Sequence, residues 1–125
     1  MTSTPSGGSV EDAQRELRRC LDRLAALGPG RVVRPGPRSV GAEALGAVQA
    51  RPPADVVRAA LQQLADVAAD LGGRPRRAVP ELAPHALGDQ LAVLAADVLA
   101  AADARDDAAV VVALRERLVA LRRAL

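Results

Sequence analysis

The sequence contains no Phe, Tyr or Trp among its 125 residues, and it contains no Lys. Half of the residues are nevertheless hydrophobic, so the core must be built from Leu, Val and Ala. Ala and Leu favour helices, whereas strands draw on aromatic and β-branched side chains. The missing aromatic rings also remove the usual stacking platforms for single-stranded nucleic acid. These absences favour a helical protein and weigh against one class of nucleic-acid binding.

Residues with the chemistry of a catalytic or metal site are scarce. Cys20 is the single cysteine, which excludes an internal disulfide, and His85 is the single histidine. His85 and Asp89 are spaced to meet on a helix, but no second histidine joins them, and no nucleotide-binding or hydrolase motif is present. We therefore expect a non-enzymatic protein with no cofactor, no metal site and no evident small-molecule ligand. Cys20 is expected to be a small buried core residue and His85 a surface residue.

The charge balance and the distribution of apolar residues bear on partners and location. The chain carries 17 basic and 15 acidic residues, a net charge of +2, which is weak support for an acidic partner. The amino terminus lacks the pattern of a secretory signal, and no uninterrupted apolar run approaches the roughly 18 residues that span a bilayer. The expectation is a cytoplasmic protein that does not enter a membrane.

Hydrophobic periodicity predicts four long amphipathic helices. Within the first, the charged residues are expected to lie outside the apolar stripe. Caps, prolines and glycines mark the predicted bounds, which are Ser9 to Gly28, Pro52 to Gly73, His85 to Ala102, and Asp106 to the carboxyl terminus.

These segments predict an all-α fold, an up-and-down bundle of four long helices in a single domain of residues 9–125. Residues 1–8 are expected to be a disordered tail, and residues 29–39 and 72–84 to be basic linkers rich in Pro and Gly. Residues 39–50 are compatible with an extra short helix. The third and fourth helices are either separate or one bent helix, since residues 102–107 contain neither Gly nor Pro.

The third helix is unusual because it lacks a polar face. Its leucine stripe occupies one side, and the other side is also apolar, which in a bundle calls for covering by the short helix or by a second copy of the protein. The alternative is an alanine face tolerated in water. The candidate interface consists of Ala92, Ala96, Leu99 and Ala100.

The second linker supplies a candidate basic contact for acidic groups or phosphate, formed by Arg74, Arg76 and Arg77. A helix-turn-helix version of this hypothesis would aim Arg58, Gln62 and Gln63 at a DNA groove. The leading hypothesis is a protein–protein interaction or oligomerisation module, whose partner is a second copy or another protein. The alternative is a nucleic-acid-binding accessory protein that uses its arginine-rich linkers.

Overall fold

The computed structural model describes residues 9–32 and 51–125, and for residues 29–32 it describes the backbone alone. Within these residues the chain forms helices and no strand, which confirms the predicted all-α bundle. The predicted tail at 1–8, the short helix at 39–50 and residues 33–39 of the first linker lie outside the described residues. The helices are α1 Val10–Val32, α2 Pro53–Leu71, α3 Leu87–Ala104 and α4 Ala108–Ala124, and a 3₁₀ turn, Pro84–Ala86, precedes α3.

Helix α1 begins at the predicted cap and is interrupted at the predicted glycine. The backbone N–H of Asp12 donates to Ser9 Oγ over 3.1 Å, as an N-cap requires. Gly28 adopts φ 73° and ψ 161°, which breaks the regular helix, but helical turns resume and continue to Val32. Residues 29–32 therefore belong to α1 and not to a linker.

Helix α2 has both predicted ends. Pro53 occupies its first turn, where its missing N–H is no loss. At the other end, the N–H of Gly73 donates to Asp70 O over 3.2 Å and the N–H of Arg74 donates to Ala69 O over 2.8 Å. This pair of bonds is a Schellman motif, and Gly73 supplies the left-handed residue that it requires, with φ 67°.

Helices α3 and α4 are separate, which decides between the two alternatives left open by the sequence. A second Schellman motif ends α3, with bonds from Asp106 N to Asp103 O and from Asp107 N to Ala102 O. Its left-handed residue is Asp106, with φ 53°. Asp107 then caps α4, because its carboxylate accepts from Val110 N over 3.3 Å.

The four helices pack as two extensive pairs, α1 with α4 and α2 with α3. Helices α3 and α4 each contact all three of the other described helices, whereas α1 and α2 touch one another little. The largest fully buried side chains are aliphatic except for one thiol, and they are Leu61, Leu87, Leu91, Leu114, Leu118, Val57, Val98 and Cys20.

Helices α2 and α3 run in the same direction, because residues 74–82, here the return segment, run back along α2. Near the start of α2, Arg58 Nη2 donates to Leu82 O over 3.3 Å. At its end, Arg105, which follows α3, donates to Leu71 O. The connection is therefore longer than the short loop of a simple up-and-down hairpin, and it covers one side of α2.

Candidate functional site: the outer face of α3 and the return segment

One arc of α3 is buried in the core. Leu87, Leu91, Ala95, Val98 and Ala102 are each at most 1 % exposed. Ala95 belongs to this buried row, although the helix is rich in alanine on its opposite side as well. The row includes Ala95 because α3 is packed against α1, α2 and α4 at once.

The opposite arc forms an exposed surface, which we call the outer face of α3. Its apolar members are spaced three or four residues apart, and Val93, with 59 % of its surface exposed, is the largest of them. Three aspartates interrupt the apolar row, and α3 contains no arginine. The members of the outer face are Asp89, Val93, Ala96, Asp97, Ala100, Asp103 and Ala104, and all are exposed.

The four candidate interface residues divide between this face and its edge. Ala96 and Ala100 lie on the outer face. Leu99 instead packs against the core, and Ala92 is half-buried. Val93 was missed, although its spacing from Ala96 and Ala100 is the signal that places it on their face.

A groove of about 370 Å³ follows the seam between α1 and α3. Leu21 and Leu24 contribute apolar walls, and Ala92 of α3 closes one side. His85 and Asp89 both line this groove and both are exposed. Within residues 9–32 and 51–125, no group of three His, Cys, Asp or Glu residues could hold a metal ion.

The three arginines of the predicted basic contact have different environments. Arg76 is neutralised by Asp70, with Nη2 and Oδ2 2.7 Å apart, and lies 3.9 Å from Asp66. The hydrogen bond from Arg76 lowers the pKa of Asp70. Arg74 and Arg77 form no ion pair with any described residue. They line a second groove, of about 380 Å³, whose other walls come from α2 and from α3.

The side-chain amide of Gln62 holds the return segment at two points. Its Nε2 donates to Arg77 O and its Oε1 accepts from Val79 N, both over 2.9 Å. One side-chain amide thus satisfies both a backbone carbonyl and a backbone N–H of the return segment. The other two side chains of the helix-turn-helix hypothesis also form hydrogen bonds within the chain. Arg58 donates to Leu82 O, and Gln63 Oε1 accepts from Arg117 Nη1 over 2.8 Å.

Cys20 and Glu16 occupy the seam between α1 and α4. Cys20 is fully buried, as expected, and its thiol donates to Leu118 O over 3.2 Å. Burial, together with the charge of Glu16, raises the pKa of this thiol to about 11. Glu16 is only 4 % exposed, so the expectation that the charges of α1 lie outside its buried stripe is wrong at this position. Arg122 of α4 is the partner that permits the burial.

One helix of the structure meets a criterion for a membrane span that the uninterrupted apolar runs of the sequence do not meet. The segment Pro84–Ala104 is long and apolar enough to cross a bilayer by length and composition, and 28 % of its most apolar stretch is buried in the fold. Counting uninterrupted apolar residues excluded a span, because Asp97 divides the run. Core helices of soluble proteins meet the same criterion, so the observation favours a membrane only weakly.

Comparison with known proteins adds no functional assignment. The chain matches no protein-family model, no curated protein and no solved structure. Its function must therefore be argued from its own surfaces.

Proposed function

We propose that this protein is a non-enzymatic protein–protein interaction module that binds its partner through the outer face of α3. The observation that carries the proposal is the exposed apolar row of Val93, Ala96, Ala100 and Ala104 on a helix whose other side is in the core. Alanines let a second helix approach closely, and Val93 supplies the larger contact. A rigid helix packed on three neighbours is also well suited to present a surface with little loss of entropy on binding.

A bilayer is a poorer match for the same face. Asp89 and Asp97 lie within it, and an aspartate near the bilayer centre costs roughly 2.5–3.5 kcal/mol. At a protein interface the same carboxylates can pair with arginines or remain at a wet rim. The aspartates therefore favour a protein partner.

The test is an affinity capture from the native cell that compares three forms of the full chain. Ala96→Arg places a long cation in the centre of the outer face, whereas Ala113→Arg makes the same change at an exposed alanine of α4. The proposal expects a protein partner that is retained by wild type and by Ala113→Arg and is lost with Ala96→Arg. Equal retention by all three forms would remove the outer face of α3 from the interaction.

A second candidate function is nucleic-acid binding through the return segment, and the unpaired state of Arg74 and Arg77 within the described chain favours it. The neutralisation of Arg76 by Asp70 weakens it. Binding of duplex DNA that falls steeply with salt, and that is lost on replacing Arg74, Arg76 and Arg77 by Ala, would support this candidate. Binding that is unaffected by these replacements would exclude the return segment as the contact.

A further inference from the structure

We propose that the partner of the outer face of α3 is a helix of another protein that places acidic side chains against Arg74 and Arg77. This inference rests on the proposed function and names the chemistry of the partner that binds the same surface. It depends on where the two arginines lie, on what holds them there, and on their lack of an ion pair with any described residue.

Arg74 and Arg77 lie beside the middle of the outer face. Both line the groove of about 380 Å³ between α2 and α3, and Asp97 lines it from α3. Asp97 belongs to the outer face and directly follows Ala96, so this groove lies along one edge of the face. Because a helix with its side chains is about 10 Å wide, a helix packed on Ala96 extends to the edge where the two arginines lie.

Backbone contacts hold the two arginines in this place. The N–H of Arg74 donates to Ala69 O over 2.8 Å, in the Schellman motif that ends α2. The carbonyl of Arg77 accepts from Gln62 Nε2 over 2.9 Å. The guanidinium of Arg74 lies against Gly72, where a β-carbon would come within 3.1 Å of Nε. Side chains on a backbone that is already fixed lose less entropy when they bind.

The charges of the return segment favour an acidic ligand at this edge. Arg76 is already paired with Asp70, with Nη2 2.7 Å from Oδ2. Arg74 and Arg77 are instead unpaired within the described chain, and Asp97 is the one acidic residue that lines their groove. Two guanidinium groups and one carboxylate leave the groove positive. A partner that carries carboxylates beside apolar side chains therefore complements the groove and the face together.

A helix of another protein satisfies both features at once. The small side chain of Ala96 allows a helix backbone to approach closely, and carboxylates three or four residues apart on that helix lie along one of its edges. Guanidinium groups bind carboxylates through two parallel hydrogen bonds. Asp89 lines the groove at the opposite edge of the face, beside α1, where it repels acidic side chains. The acidic side chains of the partner are thus confined to the edge beside α2.

The first experiment selects binders of the full chain from a display library of alanine-rich helical peptides. Each peptide carries Ala, Val or Leu on one face and Glu, Gln or Arg at the positions that flank this face. The proposal expects enrichment of Glu along one flank only. Any other pattern of enrichment, or the recovery of no binder, would overturn it.

The second experiment measures the affinity of a selected peptide, labelled with fluorescein, by anisotropy. Arg74→Gln and Arg77→Gln should each weaken binding about 3-fold, and together about 10-fold, because each removes an ion pair at the rim of the interface. Arg76→Gln removes the same charge from the same segment, but it should weaken binding less than about 1.5-fold because Arg76 already pairs with Asp70. Equal losses for the three single variants would reveal a general charge effect and overturn the proposed contact. Thermal unfolding verifies that each variant is folded.

Charge reversal distinguishes a direct contact from attraction at a distance. A variant that combines Arg74→Glu with Arg77→Glu should bind the selected peptide about 100-fold less tightly than wild type does. The same variant should prefer a counterpart peptide in which Arg replaces each flanking Glu, because the reversed charges again meet. If the variant gains no affinity for the Arg peptide, direct pairing is wrong.

The failure of this inference can be told from failure of the proposed function. Ala96→Gln adds bulk without charge at the centre of the outer face, and Ala113→Gln is the matched control on α4. A peptide that is lost with Ala96→Gln but is unaffected by replacing Arg74 and Arg77 would overturn the acidic edge and keep the outer face as the binding surface. A peptide that is unaffected by Ala96→Gln would overturn this inference, while the capture experiment still decides the proposed function.

Two other occupants would each overturn the inference. Duplex DNA that binds wild type more tightly than any selected peptide, and that is lost when Arg74 and Arg77 are replaced, would assign these arginines to phosphate. Self-association of the wild-type chain in sedimentation equilibrium, lost with Ala96→Gln, would assign the outer face to a second copy of the chain.

Discussion

The carboxylate of Glu16 in α1 accepts two hydrogen bonds from the guanidinium of Arg122 in α4. Nε lies 3.1 Å from Oε1 and Nη2 lies 3.4 Å from Oε2. Arg19, one turn along α1, adds a third bond over 3.2 Å. A carboxylate that is almost wholly buried is thus held by two cations at the seam of an extensively packed helix pair.

Removing the cation from this seam should destabilise the protein. Arg122→Ala leaves the Glu16 carboxylate buried with Arg19 alone, and we expect a loss of about 2 kcal/mol in the free energy of unfolding. Arg123→Ala, at the adjacent exposed position, should change it by less than about 0.5 kcal/mol. Urea denaturation measures both, and equal losses for the two variants would contradict a specific role for the buried pair.

The same pair predicts a dependence of stability on pH. Burial acts to raise the pKa of Glu16, but the hydrogen bonds and charges of Arg122 and Arg19 outweigh it and lower the pKa below its ordinary value of 4.5. The resulting stabilisation is fully present above pH 4.5 and is lost as the pH falls through the lowered pKa of the folded state. The stability difference between wild type and Glu16→Gln should therefore shrink on acidification below pH 4.5, as followed by urea denaturation. A difference that is constant or grows with acid would reverse the assigned sign.

The Gln62 amide should control the exposure of the return segment to proteolysis. Gln62→Ala removes both hydrogen bonds, to Arg77 O and from Val79 N, and we expect trypsin to cleave after Arg76 and Arg77 about 10-fold faster. Gln63→Ala, whose amide contacts Arg117 instead, is the matched control and should be cleaved at the wild-type rate. Identical rates for Gln62→Ala and wild type would show that the two bonds do not restrain the segment.

The turn between α3 and α4 should be sensitive to the residue at position 106. Asp106 has φ 53°, a conformation that a β-branched side chain adopts at a cost of roughly 1–2 kcal/mol, so Asp106→Val should lower the melting temperature. Asp106→Gly should preserve or raise it, because glycine adopts this conformation without strain. Calorimetry distinguishes the two, and a Val variant as stable as the Gly variant would be inconsistent with the left-handed turn.

The thiol of Cys20 should be protected in the folded protein. Because it is buried and its pKa is raised to about 11, little reactive thiolate exists at pH 8 and reagents cannot reach it. In the native protein, an aromatic disulfide reagent should modify Cys20 no faster than the protein unfolds. In denaturant, the same reagent should modify Cys20 rapidly and completely. Ala26→Cys in a Cys20→Ala background puts a thiol on the exposed side of α1 and should react within the mixing time of a manual assay. Comparable rates for the two would mean that Cys20 is accessible.

The positions of several helix ends could be predicted from the sequence. Ser9, Pro53 and Gly73 acted as caps and breakers at the predicted places, because these signals depend on residues only a few positions apart. The apolar periodicity likewise identified α2. The break at Gly28 was also predicted, although the helical turns that follow it were not.

The candidate site was predicted only in part. Periodicity put Ala96 and Ala100 on one side of α3, but it could not determine how wide the buried arc on the other side is. Packing against three helices draws Ala95 and Leu99 toward the core and moves the exposed arc toward Val93 and Ala104. Such a rotation depends on where the neighbouring helices lie, which no spacing within α3 encodes.

The sequence by itself determined that this protein is helical, where most of its helices begin and end, and that its core is made of Leu, Val and Ala. Only the tertiary structure decided that residues 74–82 return along α2, so that α3 runs parallel to it. It also decided that Glu16 is buried against Arg122 and that Arg74 and Arg77 lie at the edge of the outer face of α3. The physical reason is that propensities, caps and periodicity act over a few residues, whereas the burial of a charge or the position of a linker depends on partners distant in the chain.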